Sequence, residues 1–335
     1  MSNTKKILVT GGAGFIGHHF IEHLLKNTDW QIIVLDRLNY ASNGLDRIRD
    51  IKAFDDSRVL IFTADFTHPI SVGVQKEIGD VNYIVHMGAE THVDKSIENP
   101  EPFVMSNVVG TMHLLEFAKQ QKNLASFVYF STDEIFGPAP KGVFYKEWDR
   151  YNSTNPYSAT KAGGEELCLA YANTYKLPII ITHTMNVFGE RQHPEKFIPM
   201  VVQKVLRGEM VTIHADATKT HAGSRFYIHA RNVASAALFL LNHPDISHRD
   251  KFNIVGEKEV DNLALAQFIS KVIGKPLRFE MVDFHSSRPG HDLRYALDGT
   301  KMKDLGWKIP LNFEKSLEKT IQWILSPENK KWLEI

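Results

Sequence analysis

A short apolar run, Ile7-Leu8-Val9, leads into Thr10-Gly-Gly-Ala-Gly-Phe-Ile-Gly17, which opens an amphipathic segment from Phe15 to Leu25. Few folds accept a strand, a turn with glycines at 11, 14 and 17, and a helix in immediate succession. Gly11, Gly14 and Gly17 permit a tight turn, close approach of backbone to a diphosphate, and close helix–strand packing. The helix start then turns free N–H groups toward that anion. Gln31-Ile-Ile-Val-Leu35 reads as the next strand and ends in Asp36. An acid about twenty residues past the turn suits the ribose hydroxyls of a dinucleotide and repels a 2′-phosphate, which favours NAD over NADP. Arg37 beside it points the other way, since an arginine there can receive the extra phosphate.

The pattern continues as apolar strands alternating with amphipathic helices. Strands are expected at Lys6–Thr10, Gln31–Asp36, Val59–Thr63, Tyr83–His86, Phe127–Ser131 and Ile179–His183, with helices at Gly14–Lys26, Asn107–Gln120 and Pro156–Tyr175. Strands that are apolar on both faces belong in a parallel sheet covered on both sides. Asp65 and Phe66 follow the third strand, where Asp65 is placed to accept from an adenine amino group. Met87-Gly88-Ala89 follows the fourth, where small residues admit a cofactor.

Beyond about residue 186 the alternation loosens. Helices are expected at Ile198–Arg207, Val233–Leu241 and Asn262–Ile273, and extended runs at Val211–His214, Arg225–His229 and Lys251–Val255. The expected fold is α/β, a Rossmann-type doubly wound parallel sheet with a smaller C-terminal α/β substrate-binding lobe. Residues 1–186 would form the NAD-binding domain and carry the catalytic residues. Residues 187–335 would form mainly the substrate-binding lobe, with the chain free to cross between the two and substrate in the cleft.

Composition narrows the class. With 335 residues, 43% hydrophobic and 23% charged, the chain reads as an ordinary soluble globular protein of zero formal net charge. No basic run points to nucleic acid, and no apolar run is long enough for a membrane span. The first strand follows the N-terminus too closely for a signal peptide, and Cys168 is the lone cysteine, so a cytoplasmic protein is expected. Cys168, among apolar neighbours, reads as a buried, inert thiol. The sixteen histidines are scattered without metal-ligand spacing, so no metal is expected.

The chemistry gathers in two further motifs. Ser131-Thr-Asp-Glu-Ile-Phe-Gly137 lies at a strand end, and Tyr157-Ser-Ala-Thr-Lys161 follows on a helix. A tyrosine and a lysine four apart share a helix face, and a lysine ammonium there lowers the phenol's pKa toward use as a base. Asp133 and Glu134 beside Thr132 add two more acid/base groups. A dehydrogenation needs one such group and a dehydration needs more.

Taken together, these motifs resemble the extended short-chain dehydrogenase/reductase superfamily and, within it, the nucleotide-diphosphate-sugar 4,6-dehydratases, of which the dTDP-glucose enzymes are the nearest type. The resemblance runs from Thr10 to Trp307 and includes His86–Ile97, Asn186–Lys196 and Arg288-Pro-Gly-His-Asp292. It implies oxidation of a sugar at C4, loss of water across C5 and C6, and reduction at C6, with NAD retained throughout. Tyr157, helped by Lys161 and Thr132, would take the 4-hydroxyl proton. Glu134 would take the C5 proton, and Asp133 would protonate the departing C6 hydroxyl. Cofactor contacts carried over by position are Gly11, Gly14, Phe15, Ile16, Gly17, Asp36, Asp65, Phe66, Met87, Ala89, Ser131, Tyr157 and Lys161. Substrate contacts are Glu90, Asn186, Glu195, Lys196, Phe197, Arg225, Arg288 and His291; the two arginines also suit a diphosphate as bidentate donors. The resemblance further implies a homodimer built from the Asn107–Gln120 and Pro156–Tyr175 helices.

One stretch departs from that family. Where acids and a tyrosine are usual, this chain reads Arg225-Phe-Tyr-Ile-His-Ala-Arg-Asn232. That leaves the base open among dTDP, UDP, GDP and CDP. Two other readings compete: a sugar-nucleotide 4-epimerase of the same fold, which has no use for Asp133 and Glu134, and a non-catalytic NAD-binding scaffold, which has no use for Tyr157 and Lys161.

Overall fold

The strands form where both faces of an apolar run find cover. The computed structural model describes residues 4–334 apart from 245, 247, 248 and 285–291. Its main sheet contains β1 (Lys6–Thr10), β2 (Gln31–Asp36), β3 (Val59–Thr63), β4 (Tyr83–His86), β5 (Ser126–Thr132) and β6 (Ile179–Thr184). Within β1, Ile7 and Val9 face one core together with Val34 and Val128, while Leu8 faces the other with Ile33 and Phe127. All three are fully buried. At about 1.5–3 kcal/mol per buried aliphatic side chain, such strands hold the sheet from both sides.

The chain then leaves the sheet. It forms β7 (Asn186–Phe188), β8 (Val211–Ala215) and β9 (Ser224–His229) before returning as β10 (Asp250–Ile254), which pairs in parallel with β6. β11 (Glu259–Asp261) and β12 (Phe279–Asp283) complete the small lobe. The seven-stranded sheet has the order β10-β6-β5-β4-β1-β2-β3 and is parallel throughout, so strand order reverses between β1 and β4. Ligands bind beyond the carboxyl ends of the strands at such a switch point. The small lobe packs Val201, Val205, Leu265, Ile269, Leu317 and Ile321 into a separate core under the sheets β11-β9-β7 and β12-β8. The Ala230–Asn242 helix belongs to the main core, where Val233 and Ala237 join Phe20 and Leu24 of the Phe15–Asn27 helix.

The helix Pro156–Tyr175 starts where expected. Asn155 Oδ1 accepts from Ser158 N at 2.8 Å, Ser158 Oγ accepts from Asn155 N, and Pro156 stands at the first position. The expected Asn107–Gln120 helix is different. Helical structure begins at Glu101, widens into a π-helical turn at Met105–Val109, and resumes as Gly110–Ala118. Asn107 sits in that wide turn. It bridges Glu90 N (2.9 Å), Glu90 O (3.0 Å) and Thr160 Oγ1 (3.0 Å), tying the helix to the loop after β4. Among the described residues no helix is long and apolar enough to cross a membrane.

Candidate active site

The floor of the site is the turn after β1. Gly11 adopts φ +68°, and a Cβ there would stand 2.6 Å from the Cα of Gly88. A Cβ on Gly17 would stand 2.2 Å from Gly11 O, so neither position admits a side chain. The turn is held by Asp36, which accepts from Ala13 N at 3.0 Å and Leu38 N at 2.8 Å. Burial raises the Asp36 carboxyl above its usual range, against those two bonds. Arg37, the residue that blurred the choice of dinucleotide, is engaged by protein. It donates to Glu90 and lies 3.7 Å from Asp65. Asp65 Oδ1 accepts from Thr67 N at 2.9 Å, and Asp65 does not line the cavity, whereas Phe66 does. The Phe66 ring fills the space that side chains at Gly88 and Gly110 would need and meets His86 edge-on at 5.3 Å.

A cavity of about 350 Å³ opens above this floor and takes in residues of the Ser131–Gly137 and Tyr157–Lys161 motifs on its far wall. Gly11, Gly14, Phe15, Ile16, Gly17, Asp36, Phe66, Met87 and Ala89 line one side. Ser131, Thr132, Asp133, Glu134, Tyr157 and Lys161 line the other. β5 delivers the acid pair, because its end winds into a short 3₁₀ turn in which Thr132 Oγ1 caps Glu134 N at 3.3 Å. The helix Pro156–Tyr175 presents Tyr157 and Lys161 on one face.

The electrostatics of this wall oppose charge. Asp133 is buried; Oδ1 accepts from Thr132 at 3.1 Å, and Oδ2 has no hydrogen-bond partner among the described residues. Burial, then the neighbouring Glu134, raises its pKa to about 7. Glu134 is raised as well, chiefly by burial, although Asn155 donates to it at 3.3 Å and Arg225 lowers it. Lys161 is pushed down to about 8 by burial, and its Nζ donates to Phe130 O at 2.6 Å. The expectation that the lysine lowers the tyrosine is corrected here. Burial and the Glu134 carboxylate hold the Tyr157 phenol above its usual value, and only Thr132 draws it down. A buried phenol next to a carboxyl keeps its proton until the arrangement around it changes.

On the substrate side, Glu90, Asn186, Glu195, Lys196 and Phe197 line the same cavity. Arg225 does not. Its guanidinium donates to the backbone carbonyls of Ser224 (2.7 Å), Leu293 (2.6 Å) and Asp292, with the Tyr295 ring 4.5 Å away. Expected as a diphosphate ligand, it fastens the segment that follows residue 291. Arg288 and His291 lie outside the described residues. The cavity also includes Tyr40, Ser42, Arg47, Gln192, His193 and Tyr227, none of which had been named as a contact. Tyr40 and Ser42 sit on the loop after Asp36, so proximity to the acid was the available signal. The others arrive by tertiary folding. His92 caps Lys95 N at 3.4 Å and lies 3.7 Å from Glu195. Cys168 is buried and its thiol is raised by burial, as expected of an inert cysteine.

The floor fits a dinucleotide on its own terms: backbone that a Cβ would block, a helix start above it, and an acid fixed by two backbone donors. Comparison with known proteins agrees. Residues 7–255 match the NAD dependent epimerase/dehydratase family. The low-salt glycan biosynthesis protein Agl12 of Haloferax volcanii is 37% identical over 337 residues, covering 96% of this chain and 99% of that protein. The trifunctional UDP-glucose 4,6-dehydratase/UDP-4-keto-6-deoxy-D-glucose 3,5-epimerase/UDP-4-keto-L-rhamnose-reductase RHM2 of Arabidopsis thaliana is 36% identical across 98% of this chain, which spans 48% of that protein. The crystal structure of DesIV, a dTDP-glucose 4,6-dehydratase from Streptomyces venezuelae with NAD and TYD bound, superposes with a TM-score of 0.86 at 34% identity, covering 98% of this chain and 99% of that one. The chain belongs to the NAD-dependent epimerase/dehydratase family, with NAD as its cofactor, and is an enzyme of the sugar-nucleotide 4,6-dehydratase/epimerase type.

Proposed function

We propose that the protein is an NDP-hexose 4,6-dehydratase that converts dTDP-glucose or a related sugar nucleotide to its 4-keto-6-deoxy form. The observation that carries this reading is the presence of Asp133 and Glu134, both raised in pKa, on the same cavity wall as Tyr157 and Lys161. An epimerase needs a tyrosine base and has no work for two further acids. A dehydratase needs a base at C5 and an acid at C6.

The residues divide the work by environment. Tyr157, with Thr132 beside it, accepts the 4-hydroxyl proton once the loaded site has drawn off the proton that burial holds on the phenol here. Lys161, drawn down to about 8 by burial and fixed on Phe130 O, stays charged at neutral pH on the same wall. Once C4 is a ketone, the C5 proton is acidic and Glu134 removes it. Asp133, with a pKa of about 7, holds a proton at working pH and gives it to the departing C6 hydroxyl. Bound NAD supplies a hydride acceptor at C4 and a donor at C6, so the reaction is balanced within one site. Gly11, Gly14, Gly17 and Asp36 would hold it, and Glu90, Asn186, Glu195, Lys196 and Phe197 would contact the sugar nucleotide. Residues 1–186 carry the cofactor and the chemistry in this reading, and 187–335 mainly the sugar nucleotide.

Product mass decides the matter. Purified protein without added NAD is incubated with dTDP-glucose, UDP-glucose, UDP-N-acetylglucosamine, GDP-mannose and CDP-glucose. Loss of one water from one of them is expected. Altered stereochemistry without mass loss would establish the epimerase instead, and no change with any substrate, NAD being bound, would defeat the dehydratase reading for these sugars.

We also propose a homodimer through the helices at 101–118 and 156–175. Leu114 and Leu115 are fully buried in their own core, and Leu167 and Leu169 pack on it. The contact would therefore use exposed Val104 and half-buried Met112, Ala162 and Gly163. Light scattering at micromolar concentration is expected to return a dimer; a monomer would defeat this.

A further inference from the structure

Three arginines meet beneath the glycine turn, and two of them have carboxylate partners. Arg191 Nε donates to Asp50 at 2.5 Å. Arg231 donates to Glu190 at 2.6 Å and lies 3.5 Å from Glu22. Arg47 is the most deeply buried of the three, with no solvent exposure, and it has no ion pair among the described residues. Its Nη1 donates to Ala41 O at 2.6 Å and Ala13 O at 3.4 Å, and its Nε to Arg191 O at 3.0 Å. Its Nη2 has no hydrogen-bond partner among the described residues. Trp332 covers the guanidinium from behind, 5.6 Å away. Asp36 and Asp46 act on it only at longer range.

A buried guanidinium held by carbonyls alone is an uncompensated charge, which is costly unless a partner arrives. Arg191 acts against it, and only Asp36 and Asp46, at longer range, offset it. His18 Nε2 is also buried without a hydrogen-bond partner among the described residues, and burial, with Arg191 and Arg47 acting on it, holds that imidazole well below its usual pKa. Arg47 nonetheless lines the cavity, alongside Gly14, Phe15 and Ser42. The carbonyls that fix it belong to the glycine turn (Ala13) and to the loop after Asp36 (Ala41), the two segments that would embrace the dinucleotide.

We propose that Arg47 is the fixed counter-charge to the diphosphate of the bound dinucleotide, a cofactor-binding residue outside the glycine motif. The glycines and the helix start give the diphosphate its hydrogen bonds, and Arg47 gives it a full positive charge from below. The inference rests on the cavity floor being the dinucleotide site. At an effective dielectric of about 20, the attraction between one such cation and a diphosphate is worth roughly 10- to 100-fold in affinity.

The test compares ligands with and without phosphate. Wild-type protein, Arg47→Gln and Arg47→Lys, each freed of nucleotide, are titrated calorimetrically with NAD, ADP-ribose and adenosine. Arg47→Gln retains a donor for the carbonyls but loses the charge. It is expected to weaken NAD and ADP-ribose at least tenfold and to leave adenosine within about twofold, with Arg47→Lys recovering most of the loss. Equal weakening of all three ligands would assign Arg47 a purely structural role and overturn the proposal, as would undiminished NAD binding. If Arg47→Gln does not fold, Arg47→Lys decides: NAD binding within about threefold of wild type supports the charge, and a loss beyond tenfold overturns it. Wild-type protein that binds no NAD would instead sink the reading of the cavity floor.

Discussion

The two walls of the cavity treat charge in opposite ways. On the floor, Asp36 is satisfied by two backbone donors and Arg37 is matched by Glu90 and Asp65. On the catalytic wall, Asp133 keeps an oxygen without a partner, Glu134 crowds it, and both carboxyls and the Tyr157 phenol are driven toward their neutral forms. A satisfied polar group positions a ligand; a frustrated one holds a proton ready to move. The cost of that frustration belongs to the fold, and substitutions should reveal it.

The largest effect is expected at Asp133. Asp133→Asn preserves the size and the bond from Thr132 but has no proton to give. Water loss should slow about 10²- to 10⁴-fold while oxidation at C4 persists, so reduced cofactor should accumulate and be visible by its absorbance. In the wild type, water loss should decline as pH rises through about 7, where Asp133 loses its proton. Stability falls in the same direction. A carboxyl raised from 3.8 to about 7 on folding binds its proton more tightly in the native state, so its contribution is fully favourable below pH 3.8 and is lost as pH rises through about 7. Asp133→Asn should therefore melt above wild type at pH 8, by up to about 4 kcal/mol, and no higher than wild type near pH 3. An unchanged melting difference across that range would deny the wall its strain.

On the floor the expected loss is stability and cofactor together. Gly17→Ala puts a methyl 2.2 Å from Gly11 O and 2.7 Å from Gly12 Cα, both of them backbone atoms. The turn must open, at about 2–4 kcal/mol, and the protein should elute from gel filtration without nucleotide. A variant that melts like wild type with NAD retained would break the claim that the floor is tightly fixed.

Most of the floor was legible in the sequence, and the wall only in part. Strands such as Gln31–Asp36 and Tyr83–His86 are short apolar runs between breakers, so their limits are local properties. The three-residue strands β7 and β11 have no local signal and exist through pairing with β9. The π-helical turn at Met105–Val109 is set by the contacts of Asn107 and by Phe66 lying against Gly110, which come from distant segments. Side-chain destinations were the least readable. Arg225 has the chemistry of a diphosphate ligand, but the carbonyls of residues 292 and 293 lie nearer to it. The tyrosine–lysine spacing gave the shared helix face correctly, whereas the burial that raises Tyr157 depends on the whole domain.

The smallest effect should come from Arg37, and it sharpens the comparison because Arg37 lies on the same floor as Arg47. Both are arginines near the dinucleotide site; one is matched by carboxylates and the other is not. Arg37→Gln removes a charge already balanced by Glu90 and Asp65, and Asn39 Nδ2 still donates to Glu90 at 3.0 Å. The freed acids make the local field slightly more negative, so NAD affinity should fall by less than about threefold, as for a partly exposed ion pair. NADP should remain a poor ligand, since Asp36 still opposes a 2′-phosphate. Titration of the variant with both dinucleotides checks this. A tenfold loss of NAD binding would mean that Arg37 reaches the ligand despite its partners, and charge compensation would then fail to separate positioning residues from binding ones on this floor.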